Sequence, residues 1–162
     1  MDRITHPFQP IYNEDSKVLI LGSFPSVKSR EGEFFYHHPQ NRFWKVISAV
    51  YREQFPVSIE EKKELLLRNG VAVWDVIKSC EITGSSDNSI KNVIPNDLSE
   101  ILKTADIKRI FANGSTAYQL YMRYIFPKLG RDIIKLPSTS PANAAYNVDR
   151  LLEDWYYIRK IT

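Results

Sequence analysis

Two stretches of the chain gather small residues, aromatic rings and side-chain amides. The first runs Gly22-Ser23-Phe24-Pro25-Ser26 and then, after a short interval, Phe34-Phe35-Tyr36-His37-His38-Pro39-Gln40-Asn41-Arg42-Phe43-Trp44; the second is Pro137-Ser138-Thr139-Ser140-Pro141-Ala142-Asn143. Rings can stack on a flat heterocycle while amides read its edge, so these residue types suit a pocket for a base-sized polar ring. Other chemistries fit less well. Ser23 or Ser138 with His38 and Asp75 would make a Ser-His-Asp set, but no Gly-x-Ser-x-Gly turn is present to expose such a nucleophile. His37 and His38 are adjacent, so they point apart, and no third ligand cluster accompanies them; a metal is not expected. Cys80 is the single cysteine, which excludes an internal disulfide, an iron–sulfur cluster and a Cys-rich zinc site.

The 162 residues correspond to about one domain, taken as 1–162. Lys and Arg number 22 and Asp and Glu 19, a net charge of +3, which is too small to hold nucleic acid by bulk electrostatics. An anionic partner must be held by a local patch. The 43% hydrophobic and 25% charged content is that of a soluble globular chain able to bury a core. The start, Met1-Asp2-Arg3-Ile4-Thr5-His6-Pro7, lacks a signal-peptide apolar run, and no stretch is apolar for long enough to span a bilayer. An intracellular, soluble protein without membrane contact is expected.

Four apolar runs of strand length must position the site: Val18-Leu19-Ile20-Leu21-Gly22, Val71-Ala72-Val73-Trp74, Ile110-Phe111-Ala112 and Ile133-Ile134-Lys135-Leu136. The first three are continuously apolar, as strands buried on both faces must be. Helical patterns lie between them. Ser58 with Glu61 has capping-box spacing; Asn96 can cap a helix carrying Leu98, Ile101 and Leu102; Ser115 or Thr116 opens another; and Ser140-Pro141 reads as the start of the last helix, which carries Leu151, Trp155 and Ile158. Strands alternating with helices predict an α/β fold, a single-domain three-layer α/β/α sandwich around a central, mostly parallel four-stranded sheet, with ligands beyond the C-terminal strand ends. The polar segment Glu81 to Asn96 reads as the long functional loop.

With the motifs placed after strand ends, the chain resembles the uracil-DNA glycosylase superfamily, and within it the hypoxanthine-DNA glycosylase branch. Gly22-Ser23-Phe24-Pro25-Ser26 is similar to the first family motif. His38-Pro39-Gln40-Asn41-Arg42-Phe43-Trp44 resembles a stretch shared with the mismatch-specific uracil/thymine-DNA glycosylases, at the same distance from that motif. Leu136 to Asn143 stands in the place of the second motif, and Gly70-Val71-Ala72-Val73-Trp74-Asp75 resembles the strand that ends in the base-reading residue. Two departures accompany these matches. Phe24 replaces the Asp or Asn that positions water in other branches, and Leu136 replaces the His that hydrogen-bonds a leaving uracil.

The resemblance implies a monofunctional DNA glycosylase of base excision repair, acting on a flipped-out deaminated base: hypoxanthine first, uracil or xanthine next. It implies no cofactor and no metal; the partner is DNA containing deaminated bases, and the protein is expected to be a monomer. The resemblance assigns the water to Asn41. Tyr36 is expected to stack on the base, backbone N–H groups near Ser23 and Phe24 to meet its carbonyl oxygen, and Asp75 to read its edge. An Asp75 carboxylate would accept from N1–H of hypoxanthine or N3–H of uracil but face a lone pair on adenine. Ser138, Ser140 and Asn143, read as the start of the last helix, are expected to hold a DNA phosphate, with Lys28, Arg30, Lys135 and Arg42 adding local charge.

Each residue has a structural alternative at this stage. Tyr36, Phe43 and Trp44 can be core rings, Asn41 a helix cap, Asp75 a cap or an ion-pair partner, and Ser138 and Ser140 capping hydroxyls. Two rival functions also stand beside the DNA glycosylase: a non-catalytic module that binds lesions or single strands, and an N-glycosidase of free nucleosides or nucleotides.

Overall fold

The computed structural model describes residues 2–162. All four apolar runs are strands, and together they make one parallel sheet: β2 (Val18–Gly22), β3 (Val71–Asp75), β6 (Arg109–Asn113) and β7 (Ile133–Leu136), in the order β3-β2-β6-β7. Every residue of β2 and β3 is buried. Successive side chains of a strand point to opposite faces, so complete burial requires cover on both sides of the sheet. That cover comes from α2 (Phe43–Val50), α3 (Ile59–Arg68), α5 (Ser115–Tyr124) and α7 (Val148–Trp155), with the shorter helices α1 (Val27–Gly32), α4 (Ser99–Thr104), α6 (Phe126–Leu129) and α8 (Tyr157–Ile161) at the connections. The expected α/β sandwich is therefore present.

Parallel strands β2 and β3 pair in register from Val18 with Val71 to Gly22 with Asp75, which brings Gly22 and Asp75 side by side at the C-terminal edge. Asn113 and Leu136 end β6 and β7 at the same edge. The core beneath is built on rings, with Phe35, Phe43, Phe111, Tyr121 and Trp155 fully enclosed. Leu151, Trp155 and Ile158 fall at helical spacing on one buried stripe that closes the fold. Trp155 also donates from its indole N–H to the carbonyl of Pro137 at 2.9 Å, tying that closure to the loop after β7.

Three features differ from the reading of the sequence. A second, antiparallel sheet β1-β4-β5 forms from β1 (Arg3–Thr5), β4 (Ile77–Glu81) and β5 (Lys91–Pro95), so the segment from Glu81 to Asn96 is a hairpin arm and tip rather than a free loop. Within that segment β5 is largely exposed, and its alternation is too weak to stand out from loop composition. Asn96 does not cap a helix. It is buried and donates from Nδ2 to the carbonyls of Asp75 (2.8 Å) and Ile77 (3.1 Å), while Asp97 caps α4 by accepting from Ser99 N–H. Finally, the helix expected from Ser140-Pro141 starts instead at Val148 behind an Asn147 cap, as α7, and Ile158 falls in the short α8 that follows it. Among the described residues, no helix is long and apolar enough to cross a membrane.

Asn96 satisfies two strand-end carbonyls from inside the protein, so Asn96→Ala is expected to lower the unfolding free energy by about 1–3 kcal/mol. Urea denaturation followed by circular dichroism measures this.

Candidate active site

A cleft of about 1340 Å³ opens at the C-terminal edge of the parallel sheet. Its walls include Ser23, Phe24, Tyr36, Asn41, Asp75, Asn113, Ser138, Thr139, Ser140 and Asn143, so both motif stretches converge there. Gly22 lies at the floor. A Cβ there would overlap Oδ1 of Asp75 and come to 3.0 Å from the Tyr36 hydroxyl, so only glycine lets those two groups share the space above the strand end. The first-motif backbone is turned for work: among the described residues, the N–H groups of Ser23 and Phe24 donate to no protein acceptor, while the carbonyls of Gly22 and Ser23 accept from Val76 and Ile77.

Tyr36 sits at a positive φ of 50°, and its ring stacks on Phe43 with centroids 4.1 Å apart and planes 22° from parallel. One face of the half-buried ring is thus covered, and the other is the face available for stacking on a ligand. The hydroxyl is buried and has no hydrogen-bond partner among the described residues. Burial, with the Asp75 carboxylate adding to it, pushes its pKa above the usual phenol range, so it stays protonated. Phe43 and Trp44 are core residues, as one reading of the sequence allowed.

Asn41 holds the start of α2 and also lines the cleft. Its Oδ1 accepts from Phe43 N–H at 2.9 Å, at the start of α2, and from the Thr139 hydroxyl at 2.9 Å. Both lone pairs are then occupied, and the amide NH2 is left without an acceptor among the described residues. Fully buried Thr139 is in turn held by Asn113, whose Nδ2 donates to the hydroxyl (3.0 Å) and whose Oδ1 accepts from Thr139 N–H (3.0 Å). The chain Asn113–Thr139–Asn41 thereby fixes the amide from the end of β6 across the second motif to the first.

Arg42 does not contribute free charge. Its guanidinium donates to the carbonyls of Tyr146, Ser140 (2.6 Å), Asn143 (3.1 Å) and Thr139 (3.3 Å), and its backbone N–H also reaches Thr139. The planar fork of an arginine suits this multiple capture. Arg30 is likewise spent on the carbonyls of Gly84 (2.6 Å) and Ser26. Lys28 is exposed on α1 and lies outside the cleft walls, and Lys135 alone of the four lines them. Ser138, Ser140 and Asn143 stand in a loop and not at a helix N-terminus: the two hydroxyls accept from Ser140 and Ala142 N–H, and Asn143 donates to the Ser138 carbonyl. The hairpin tip completes the cleft mouth through Val27 N–H to Ser85 Oγ (2.9 Å) and a long contact of 3.5 Å from Ser23 Oγ to Asp87.

One group escaped sequence reasoning. His6, at the N-terminal strand, holds Asp75 Oδ2 at 2.7 Å. Nothing in the spacing of residues 6 and 75 signals the pair.

Residues 9–159 match the model of the uracil DNA glycosylase superfamily. A relative from Methanosarcina barkeri (strain Fusaro / DSM 804), described as a hypoxanthine DNA glycosylase, is 31% identical over 140 residues, covering 84% of this chain and 86% of its own. A second of the same description, from Methanosarcina acetivorans, is 30% identical over 151 residues, covering 91% and 93%. The solution NMR structure of a candidate uracil DNA glycosylase from Methanosarcina acetivorans superposes with a TM-score of 0.80 at 30% identity, covering 94% of each chain. The chain therefore belongs to the uracil DNA glycosylase superfamily. It is a DNA glycosylase, and DNA is its substrate.

Two substitutions test how the cleft is held. Arg42→Gln is expected to lower the unfolding free energy by about 2–3 kcal/mol, because one amide cannot reach four carbonyls, and, although it removes a positive charge, to leave the salt slope of DNA binding unchanged. A phosphate contact would instead reduce that slope by about one. Thr139→Val removes one donor from Asn41 and one acceptor from Asn113; base release measured in a single turnover is expected to fall about 10-fold.

Proposed function

We propose that this DNA glycosylase releases hypoxanthine from deoxyinosine in DNA by water attack, as a monomer and without metal or cofactor. The observation that carries the reading is the locked amide of Asn41: with Oδ1 doubly occupied, only its NH2 is free to hold a water at the cleft wall, and Phe24, at the usual first-motif position, has no polar atom. The descriptions of the two Methanosarcina relatives support the same base.

The base must first leave the duplex, which costs least for a mispaired or damaged pair. In the cleft it stacks on the free face of Tyr36. Hypoxanthine presents a carbonyl oxygen beside a ring N–H, and this edge matches the free N–H groups of Ser23 and Phe24 and the Asp75 carboxylate. Adenine presents a lone pair to the same carboxylate and is repelled. As the bond from C1′ to the base nitrogen breaks, its electron pair stays with the base, whose growing negative charge those N–H groups meet. The water held by Asn41 adds to C1′ and gives up a proton to solvent, and the departing base takes up a proton from solvent, leaving neutral hypoxanthine and an abasic sugar. Ser138, Ser140 and Asn143 hold a flanking phosphate through the loop after β7, with Lys28 and Lys135 contributing charge at the margins. No motif lysine takes part: Lys135 has its ammonium 5.8 Å from the Tyr118 ring centre.

Single-turnover incubation with EDTA on duplexes carrying one inosine or one uracil, followed by alkaline cleavage, tests the reading. Release at inosine is expected, and Asn41→Ala should lower it by at least about 100-fold. Release confined to uracil changes the base. No release from DNA but release from free deoxyinosine makes the protein a nucleosidase. Persistence of activity in Asn41→Ala removes the water from Asn41.

A further inference from the structure

The Asp75 carboxylate faces the cleft with one oxygen and the interior with the other. Oδ2 lies 2.7 Å from His6 Nε2, and the two side chains are nearly sealed, at 2% and 6% exposure. The backbone N–H of Phe8 approaches His6 Nδ1 at 3.4 Å, which makes Nδ1 the acceptor and leaves the hydrogen on Nε2, donating to Asp75. The ring is boxed by Phe8 and Trp74, with centroids at 4.5 Å in each case, and by Phe24 at 6.0 Å. The backbone is fixed as well, since His6 N–H donates to the Lys78 carbonyl at 2.7 Å and so extends the pairing of β1 with β4. His6 does not line the cleft and has no route to the base.

We propose that His6 is a positioning residue for base release: by capturing Oδ2, it holds the Asp75 carboxylate in one orientation, with Oδ1 over Gly22 as a fixed acceptor for a ring N–H of the flipped base. This rests on the reading of the cleft as a deaminated-base site. The geometry explains why a buried acid stands at the end of β3. With Oδ1 already open to the cleft, a carboxylate that also loses the donor on Oδ2 has no hydrogen bond to fix its rotation, and a rotated carboxylate spoils the acceptor that the base meets. The antiparallel sheet outside the sandwich thereby acquires a function, because it is what brings residue 6 to residue 75.

The test is single-turnover release from inosine duplex, with enzyme concentration varied to separate the limiting rate from half-saturation. His6→Phe keeps the ring and its packing but loses the donor; the limiting rate is expected to fall about 30-fold with little change in half-saturation. His6→Gln, whose amide N–H stands in for Nε2–H, is expected to recover most of that rate. In an Asp75→Ala background the further change His6→Phe should cost nothing, since a residue acting through Asp75 is silent once no acceptor is left at that position. An equal loss in both backgrounds, or a His6→Phe rate like that of wild type, overturns the proposal. Should His6→Phe fail to fold, the comparison of Asp75→Ala with the double variant decides it: equal rates support the proposal and a further loss refutes it. If folded wild type releases neither hypoxanthine nor uracil, it is the functional reading that fails, and the positioning role falls with it.

Discussion

The site depends on one junction, where two adjacent residues of the first motif stretch grip the loop that follows β7. Arg42 gathers the carbonyls of residues 139, 140, 143 and 146, and Asn41 accepts from the hydroxyl of Thr139. That loop runs eleven residues from Leu136 to the cap of α7 without helix or strand, so side-chain contacts of this kind set its path. A guanidinium donating to neutral carbonyls in a half-buried place forms charge-assisted bonds that water cannot replace at equal geometry. The same contacts fix the amide that faces the cleft, so loop stability and the orientation of Asn41 have a single cause.

The parallel sheet supplies the other constraint. Its register puts Gly22 beside Asp75, and the missing side chain of Gly22 makes room for a carboxylate and a phenol hydroxyl over the same strand end. A buried carboxylate is tolerable only when its oxygens are met by donors. His6 meets one of them from the antiparallel sheet. The other lies over Gly22 in the cleft that Ser23 and Phe24 also line, and among the described residues it has no protein donor. Positive charge is sparse at the cleft: two of the four basic side chains near the motifs are bound to carbonyls, and Asp87, Glu153 and Asp154 lie along the walls. Contacts to phosphate are then best made by hydroxyls and loop amides, which position DNA without a strong bulk field.

Much of this was legible in the residues. Three of the four sheet strands hold continuous apolar runs because both faces are covered, while β7, at the sheet edge, is interrupted by exposed Lys135, and that pattern needs no tertiary knowledge. Ser58 caps α3 through Glu61 N–H at 3.1 Å, as its spacing implied. The motif stretches set after strand ends carry the resemblance that points to the family. Misreadings arose where one local signal serves two structures. Ser140-Pro141 has the chemistry of a helix start, but the Ser140 hydroxyl accepts from Ala142 N–H within a turn, and the helix waits for Asn147. Asn96 has the chemistry of a cap, yet the nearest unpaired groups are strand carbonyls brought to it by the hairpin.

By itself the sequence determined the α/β class, the strands, and the small set of aromatic, amide and carboxylate residues that meet in the cleft, because burial periodicity and motif spacing are local properties. Tertiary structure alone decided which of those residues are free to act. Arg42 looked like charge for DNA and is an internal clamp; Asp75 had an ion-pair partner among its alternatives, and the fold supplies His6, which carried no signal of its own. The reason is that hydrogen-bond capacity is finite. A donor or acceptor can serve a ligand only if no group from a distant part of the chain has already taken it, and such partners, 69 residues apart for His6 and Asp75, are chosen by the fold.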